Sequence, residues 1–137
     1  MSRRHSIVLA LCLLFASLAC GGIGLAYEHD LTGDYAVWAP DLVEQAAVVQ
    51  KMPGTSSATV VVDSMVVAYG WNDDFIIAKQ HPNVDGFSQV DTSLTYWFIV
   101  QVATGDVYGP LTEEEYLQHR GKLGIPDEVG FTRVIEP

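Results

Sequence analysis

The reading of the fold turns on residues 58–80, ATVVVDSMVVAYGWNDDFIIAKQ. Two runs rich in β-branched and aromatic side chains, Met65 to Tyr69 and Phe75 to Ile77, flank Asn72-Asp73-Asp74, and this spacing predicts a β-hairpin. Asn and Asp tolerate a positive φ better than other non-glycine residues, so they are expected to supply one in a tight turn between twisted strands. Thr59-Val60-Val61-Val62 is an earlier strand segment, and Asp63-Ser64 is a polar step between strands. His81-Pro82-Asn83 stops the last arm.

Downstream, residues 94–102 (LTYWFIVQV) hold five consecutive apolar side chains from Tyr96, the pattern of a strand covered on both faces. Thr104-Gly105-Asp106 then turns the chain, and Val107-Tyr108-Gly109 begins a second hairpin arm. A helix is predicted over residues 112–122. Thr112 and Glu115 have the spacing of a capping box, and Leu111 can pack on Tyr116 as a hydrophobic staple. Glu113, Glu114 and Glu115 suit the positive end of the helix dipole, and Arg120 and Lys122 the negative end. Gly121 or Gly124 can terminate the helix. Residues 130–135 (GFTRVI) form a candidate edge strand.

Upstream, residues 34–38 (DYAVW) alternate as a strand that Ala39-Pro40-Asp41 interrupts. Residues 42–50 (LVEQAAVVQ) admit a short helix, although Ala47-Val48-Val49 favours a strand, and 51–57 read as a loop. The predicted class is α+β: mainly an antiparallel β-sheet of about five or six strands, a meander of hairpins with the helix across one face.

The first residues carry an address. Arg3 and Arg4 precede an uncharged apolar stretch from Ile7 to Ala19, the arrangement of a secretory signal peptide. The stretch is short for a bilayer span of about 20 apolar residues. Ser17-Leu18-Ala19 presents small residues at the two positions a signal peptidase inspects, placing cleavage before Cys20. The expected organisation is a signal peptide over 1–19, a terminal Cys20 and flexible tether over 20–33, and a single β-rich domain over 34–137. Cys12 would leave with the signal peptide, so Cys20 has no partner for a disulfide. Acylation would convert its thiol to a thioether. Each buried methylene contributes about 0.8 kcal/mol, and more than one acyl chain gives stable anchoring.

Charge narrows the partners. Of 137 residues 17 are acidic and 7 basic; removing 1–19 leaves five basic groups and a charge of −12. No Lys/Arg cluster exists to neutralise phosphates, so nucleic acid and anionic headgroups are unfavourable partners. Asn72-Asp73-Asp74 lacks a twelve-residue calcium loop, and His29, His81 and His119 lack a metal-ligand spacing, so neither metal nor cofactor is expected. With no G-x-S-x-G elbow, phosphate loop or dinucleotide fingerprint, a catalytic site is not expected either. The alternative is a small hydrolase using Asp or Glu in a sheet cleft. Aromatic residues offer a different chemistry, because Trp and Tyr can form a platform for a ligand or a partner protein. Trp71, Tyr96, Trp97 and Tyr108 are the candidate binding surface.

Three blocks carry a resemblance: Trp71 to Gln80 (WNDDFIIAKQ), Tyr96 to Val100 (YWFIV) and Gly109 to Tyr116 (GPLTEEEY). Together with Ser17-Leu18-Ala19-Cys20-Gly21-Gly22, which resembles a bacterial lipoprotein processing site, they resemble a family of small bacterial lipoproteins built on a domain of unknown function. The resemblance covers about residues 20–125. It implies a lipid anchor on Cys20, a cell membrane or outer membrane location and a β-rich domain; it assigns no catalytic residue. The expected function is a non-catalytic module that binds an envelope protein or a small ligand. Secretion, or a periplasmic location, in a structural or inhibitory role is the further alternative.

Overall fold

The computed structural model describes residues 24–83 and 90–135. The expected signal peptide, and Cys20 with its expected lipid, lie outside these residues.

Among the described residues nine strands form two antiparallel sheets, more than the single sheet of about five or six expected from the sequence. The first sheet is a meander of β1 (Tyr27–Asp30), β2 (Tyr35–Ala39), β3 (Ala47–Lys51) and β4 (Ala58–Val62). The second contains β5 (Val66–Trp71), β6 (Phe75–Gln80), β7 (Tyr96–Gln101), β8 (Asp106–Leu111) and β9 (Arg133–Val134), in the order β8-β7-β6-β5-β9. The class is α+β, mainly antiparallel β, with one α-helix among the described residues, α1 (Glu113–Leu123).

Strand alternation separates two cores. Ile76, Ala78, Phe98 and Val100 project from the second sheet onto Val37, Val48 and Val62 of the first. Phe75, Ile77, Trp97 and Ile99 project the other way and meet Tyr116 of α1 with Ile125 and Val129. The layers are therefore sheet, sheet and helix. Burial on both faces explains the unbroken apolar run from Trp97 to Val100.

Both predicted hairpins are present, β5-β6 and β7-β8. The first turn is made differently from the expectation, because no residue of Asn72-Asp73-Asp74 has a positive φ. Instead Asn72 Oδ1 accepts from the amides of Asp74 (3.0 Å) and Phe75 (2.8 Å), a side-chain substitute for a backbone turn. Residues 42–50 combine both readings: a 3-10 turn at Val43–Gln45 precedes β3. The chain also enters the fold earlier than expected. Tyr27–Asp30, in the stretch read as a tether, forms an edge strand against β2, its Tyr27 and His29 half-buried and its Glu28 and Asp30 exposed.

The helix begins at its expected cap. Thr112 Oγ1 accepts from the Glu115 amide (3.3 Å), and Glu115 Oε2 accepts from the Thr112 amide (2.8 Å). Those bonds to Thr112 hold the Glu115 carboxyl below its ordinary range. Gly124, left-handed at φ 66°, ends the helix, so Gly121 lies within its last turns. Nothing lies within 4 Å of a Cβ built on Gly121. Gly121→Ala is therefore expected to stabilise the protein by about 0.5–1 kcal/mol, read as a raised urea midpoint with an unchanged slope.

After α1 the chain crosses the edge of the second sheet. Ile125 and Val129 belong to the helix-side core, Arg133 and Val134 pair with β5, and Ile135 reaches the core between the sheets. This C-terminal strap includes the edge strand expected over residues 130–135, shortened to Arg133–Val134.

Candidate functional site

A cleft opens beside the start of β5, between the Glu44 turn, β9 and the segment around Thr92. Its volume is about 510 Å³, within the range of small-molecule sites. Val66, Ala68, Val90, Val134 and Ile135 give it apolar walls, and Glu44, His81 and Thr92 supply its polar groups.

The backbone is unusual here. Met65 has φ 73°, the one non-glycine residue with positive φ among those described. Two residues later, β5 shifts register against β6: Val66 faces Gln80 and Ala68 faces Lys79, so Val67 is the extra residue of a bulge. Strained residues and bulges gather where a site must be shaped, because the surrounding structure has to hold them there. That support is visible. Gln80, buried, donates its amide to the carbonyls of Asp63 (3.0 Å) and Ser64 (2.8 Å), and the His81 amide donates to the Met65 carbonyl (3.1 Å).

His81 is the group with directional chemistry. Its Nδ1 lies 2.7 Å from the carbonyl oxygen of Leu94. A carbonyl can only accept, so Nδ1 carries the proton and Nε2 of the neutral ring is an acceptor. Thr92 is presented by a turn that Asp91 braces. The Asp91 carboxylate accepts from the Ser93 hydroxyl (2.5 Å) and amide (2.9 Å), bonds that pull its pKa below the usual value.

The four aromatic residues singled out in the sequence are not brought onto one face. Trp71 and Tyr96 pack toward the core between the sheets, whereas Trp97 and Tyr108 pack toward the helix. Trp97 is buried under Lys79, whose Nζ lies 4.1 Å from the ring centroid, and beside Tyr116 at 4.7 Å. Tyr96 and Trp97 do share a shallower depression with Lys79 and Glu113. Tyr108 lies beside His119, with ring centroids 5.2 Å apart.

Trp71 joins a polar-aromatic hub that links the two sheets. The Tyr69 hydroxyl is 2.6 Å from both the Tyr27 hydroxyl and His29 Nδ1, and Trp71 stacks on Tyr69 at 5.9 Å. Burial first, and the Tyr27 hydrogen bond second, push the Tyr69 pKa above its ordinary value. Among the described residues no three His, Cys, Asp or Glu side chains converge as a metal-binding set. Nor is any helix among them long and apolar enough to cross a membrane.

The sequence reading passed over the cleft. Its walls come from residues far apart in the chain, and the available signal was local: Asp63-Ser64-Met65 breaks two β-branched runs where the chain passes between sheets.

Residues 32–135 match the model of a family described as a protein of unknown function (DUF3997). The match extends through the C-terminal strap, beyond the three blocks that carry the resemblance in the sequence. No curated protein and no solved structure matches the chain.

Proposed function

The chain belongs to the DUF3997 family of proteins of unknown function, and from that premise we propose an exported, lipid-anchored module of the cell envelope that binds a small apolar ligand without transforming it. The cleft beside Met65 carries this reading. Its apolar walls would bury a hydrocarbon skeleton, and His81 Nε2 would accept one hydrogen bond from a ligand hydroxyl or N–H. Export and anchoring rest on the apolar leader and on Cys20. Trp71, Tyr96, Trp97 and Tyr108 then serve mainly as packing around the two cores, with the Tyr96-Trp97 depression as a secondary contact surface.

N-phenyl-1-naphthylamine, a neutral apolar fluorophore with one N–H, is a suitable probe. The cleft should give it a saturable, blue-shifted emission. Val134 is exposed at the cleft wall, so Val134→Trp should obstruct binding without disturbing the core. His81→Phe should weaken binding about tenfold, the loss of one hydrogen bond worth about 1.4 kcal/mol. Unchanged binding in both variants would refute the assignment of the ligand site.

A further inference from the structure

We infer that the cleft ligand is an amphiphile with a zwitterionic head. Its hydrocarbon chain lies in the cleft beside Met65, and its phosphate and primary ammonium lie in the adjoining depression, between Lys79 and Glu113. This inference deepens the reading of the cleft as a ligand site and rests on it.

The two hollows meet. Val67 and His81 line both the cleft, of about 510 Å³, and the depression, of about 560 Å³. Val67 is the extra residue of the β5 bulge, and both side chains are only half-buried, so they form a common rim. The segment that presents Thr92 to the cleft continues along the depression as Ser93, Leu94 and Thr95. An elongated ligand can therefore lie across the rim with one end in each hollow. The ends differ in chemistry, because the cleft is walled mainly by apolar side chains and the depression carries opposite charges.

Sheet register sets those charges apart. Lys79 faces Trp97 across β6 and β7, and Trp97 faces Leu111 across β7 and β8, so Trp97 stands between Lys79 and the start of α1, where Glu113 lies. Lys79 Nζ rests against the rings of Trp97 (4.1 Å) and Phe131 (4.5 Å). Among the described residues the only ion pair is Lys51 with Asp30, so Lys79 and Glu113 line one hollow without pairing. The ammonium keeps its donors and the carboxylate its acceptors for an occupant. A phosphate accepts from Lys79 and a primary ammonium donates to Glu113, both through charge-assisted hydrogen bonds. A head without net charge also avoids the repulsion that a chain of formal charge −10 exerts on anions.

His81 specifies the middle of the ligand. It stands where the hollows join, and its Nε2 accepts from a hydroxyl placed between chain and head. A glycerol unit with a single acyl chain supplies that hydroxyl. The chemical class is a monoacyl glycerophosphoethanolamine.

The probe is monododecanoyl glycerophosphoethanolamine, titrated into the purified protein by calorimetry below its critical micelle concentration. It should bind saturably and displace N-phenyl-1-naphthylamine from the cleft. Monododecanoyl glycerophosphate, which lacks the ammonium, and monododecanoylglycerol, which lacks the head, should each bind about tenfold more weakly. Lys79→Gln should weaken the ethanolamine lipid about tenfold and leave the affinity for the fluorophore unchanged, which reports an intact cleft. Glu113→Gln should also weaken the ethanolamine lipid but strengthen the glycerophosphate lipid, a reversal that a disturbed fold does not produce. Equal affinities for the three lipids overturn the proposal, as does equal affinity of the parent and both variants for the ethanolamine lipid. Lipid binding that leaves the fluorophore in place overturns it too. A protein that binds the fluorophore but not the ethanolamine lipid keeps the cleft and loses this ligand class, whereas failure to bind either refutes both.

Discussion

Gly70→Ala is expected to destabilise the protein by about 3 kcal/mol, near the upper end for overpacking. Gly70 is buried in β5, and a Cβ built on it falls deep inside the contact distance of the Gly130 carbonyl carbon and oxygen. Those atoms are backbone, so no side-chain rotation can relieve the clash. The strap must lift from the edge of the second sheet. Lifting it would uncover Val129 and Ile135 and break the bond from the Ile135 amide to the Val67 carbonyl (2.9 Å). Fast exchange of the Ile135 amide should accompany the lowered urea midpoint. Gly130→Ala is the matching control, because nothing lies within 4 Å of its added Cβ. A Gly70→Ala protein as stable as the Gly130→Ala control would show that this close approach is absent.

The hub at Tyr69 should be at least as sensitive. Tyr69 is fully buried, and Tyr69→Ala is expected to cost about 3–5 kcal/mol through lost packing and a cavity between the sheets. Tyr69→Phe keeps the ring but leaves the Tyr27 hydroxyl and His29 Nδ1 without that partner, for an expected cost of about 1–3 kcal/mol. The two variants separate packing from hydrogen bonding. They also differ from the parent in alkali. A raised folded-state pKa means that the tyrosine contribution is fully present below the unfolded value of 10.0 and is lost as pH climbs toward the folded value. Parent stability should therefore fall above about pH 10 more steeply than that of Tyr69→Phe. Equal alkaline slopes in denaturant titrations would remove Tyr69 as the responsible group.

Much of the local structure was legible because its causes are local. Thr112, Glu115 and Leu111 specify the start of α1 within five residues, and β-branched runs around Asn72 and Gly105 specify the two hairpins. Period-two alternation separates the faces of a strand but does not say which strands share a sheet, so the division between β4 and β5 was hidden. Tyr27–Asp30 was obscured by the glycines before it, although its alternating burial is that of a half-covered edge strand. Asn72 illustrates a finer miss: the residue type announced a turn, but the side chain acts by accepting two amide hydrogens. The cleft and the Tyr69 hub arise from long-range convergence, joining Glu44 to Ile135 and Tyr27 to Tyr69, and no sequence window contains either set. Of the candidate aromatic surface, Tyr96 and Trp97 are consecutive on one strand, so they stand on opposite faces of the second sheet.

The reading as an anchored envelope module is tested most directly by the intact mass of the protein recovered from the membranes of a bacterial host. The account predicts a chain beginning at Cys20 and carrying a diacylglyceryl or triacyl increment. Protein retaining Met1, or a chain beginning at Cys20 with no added lipid mass, would contradict it.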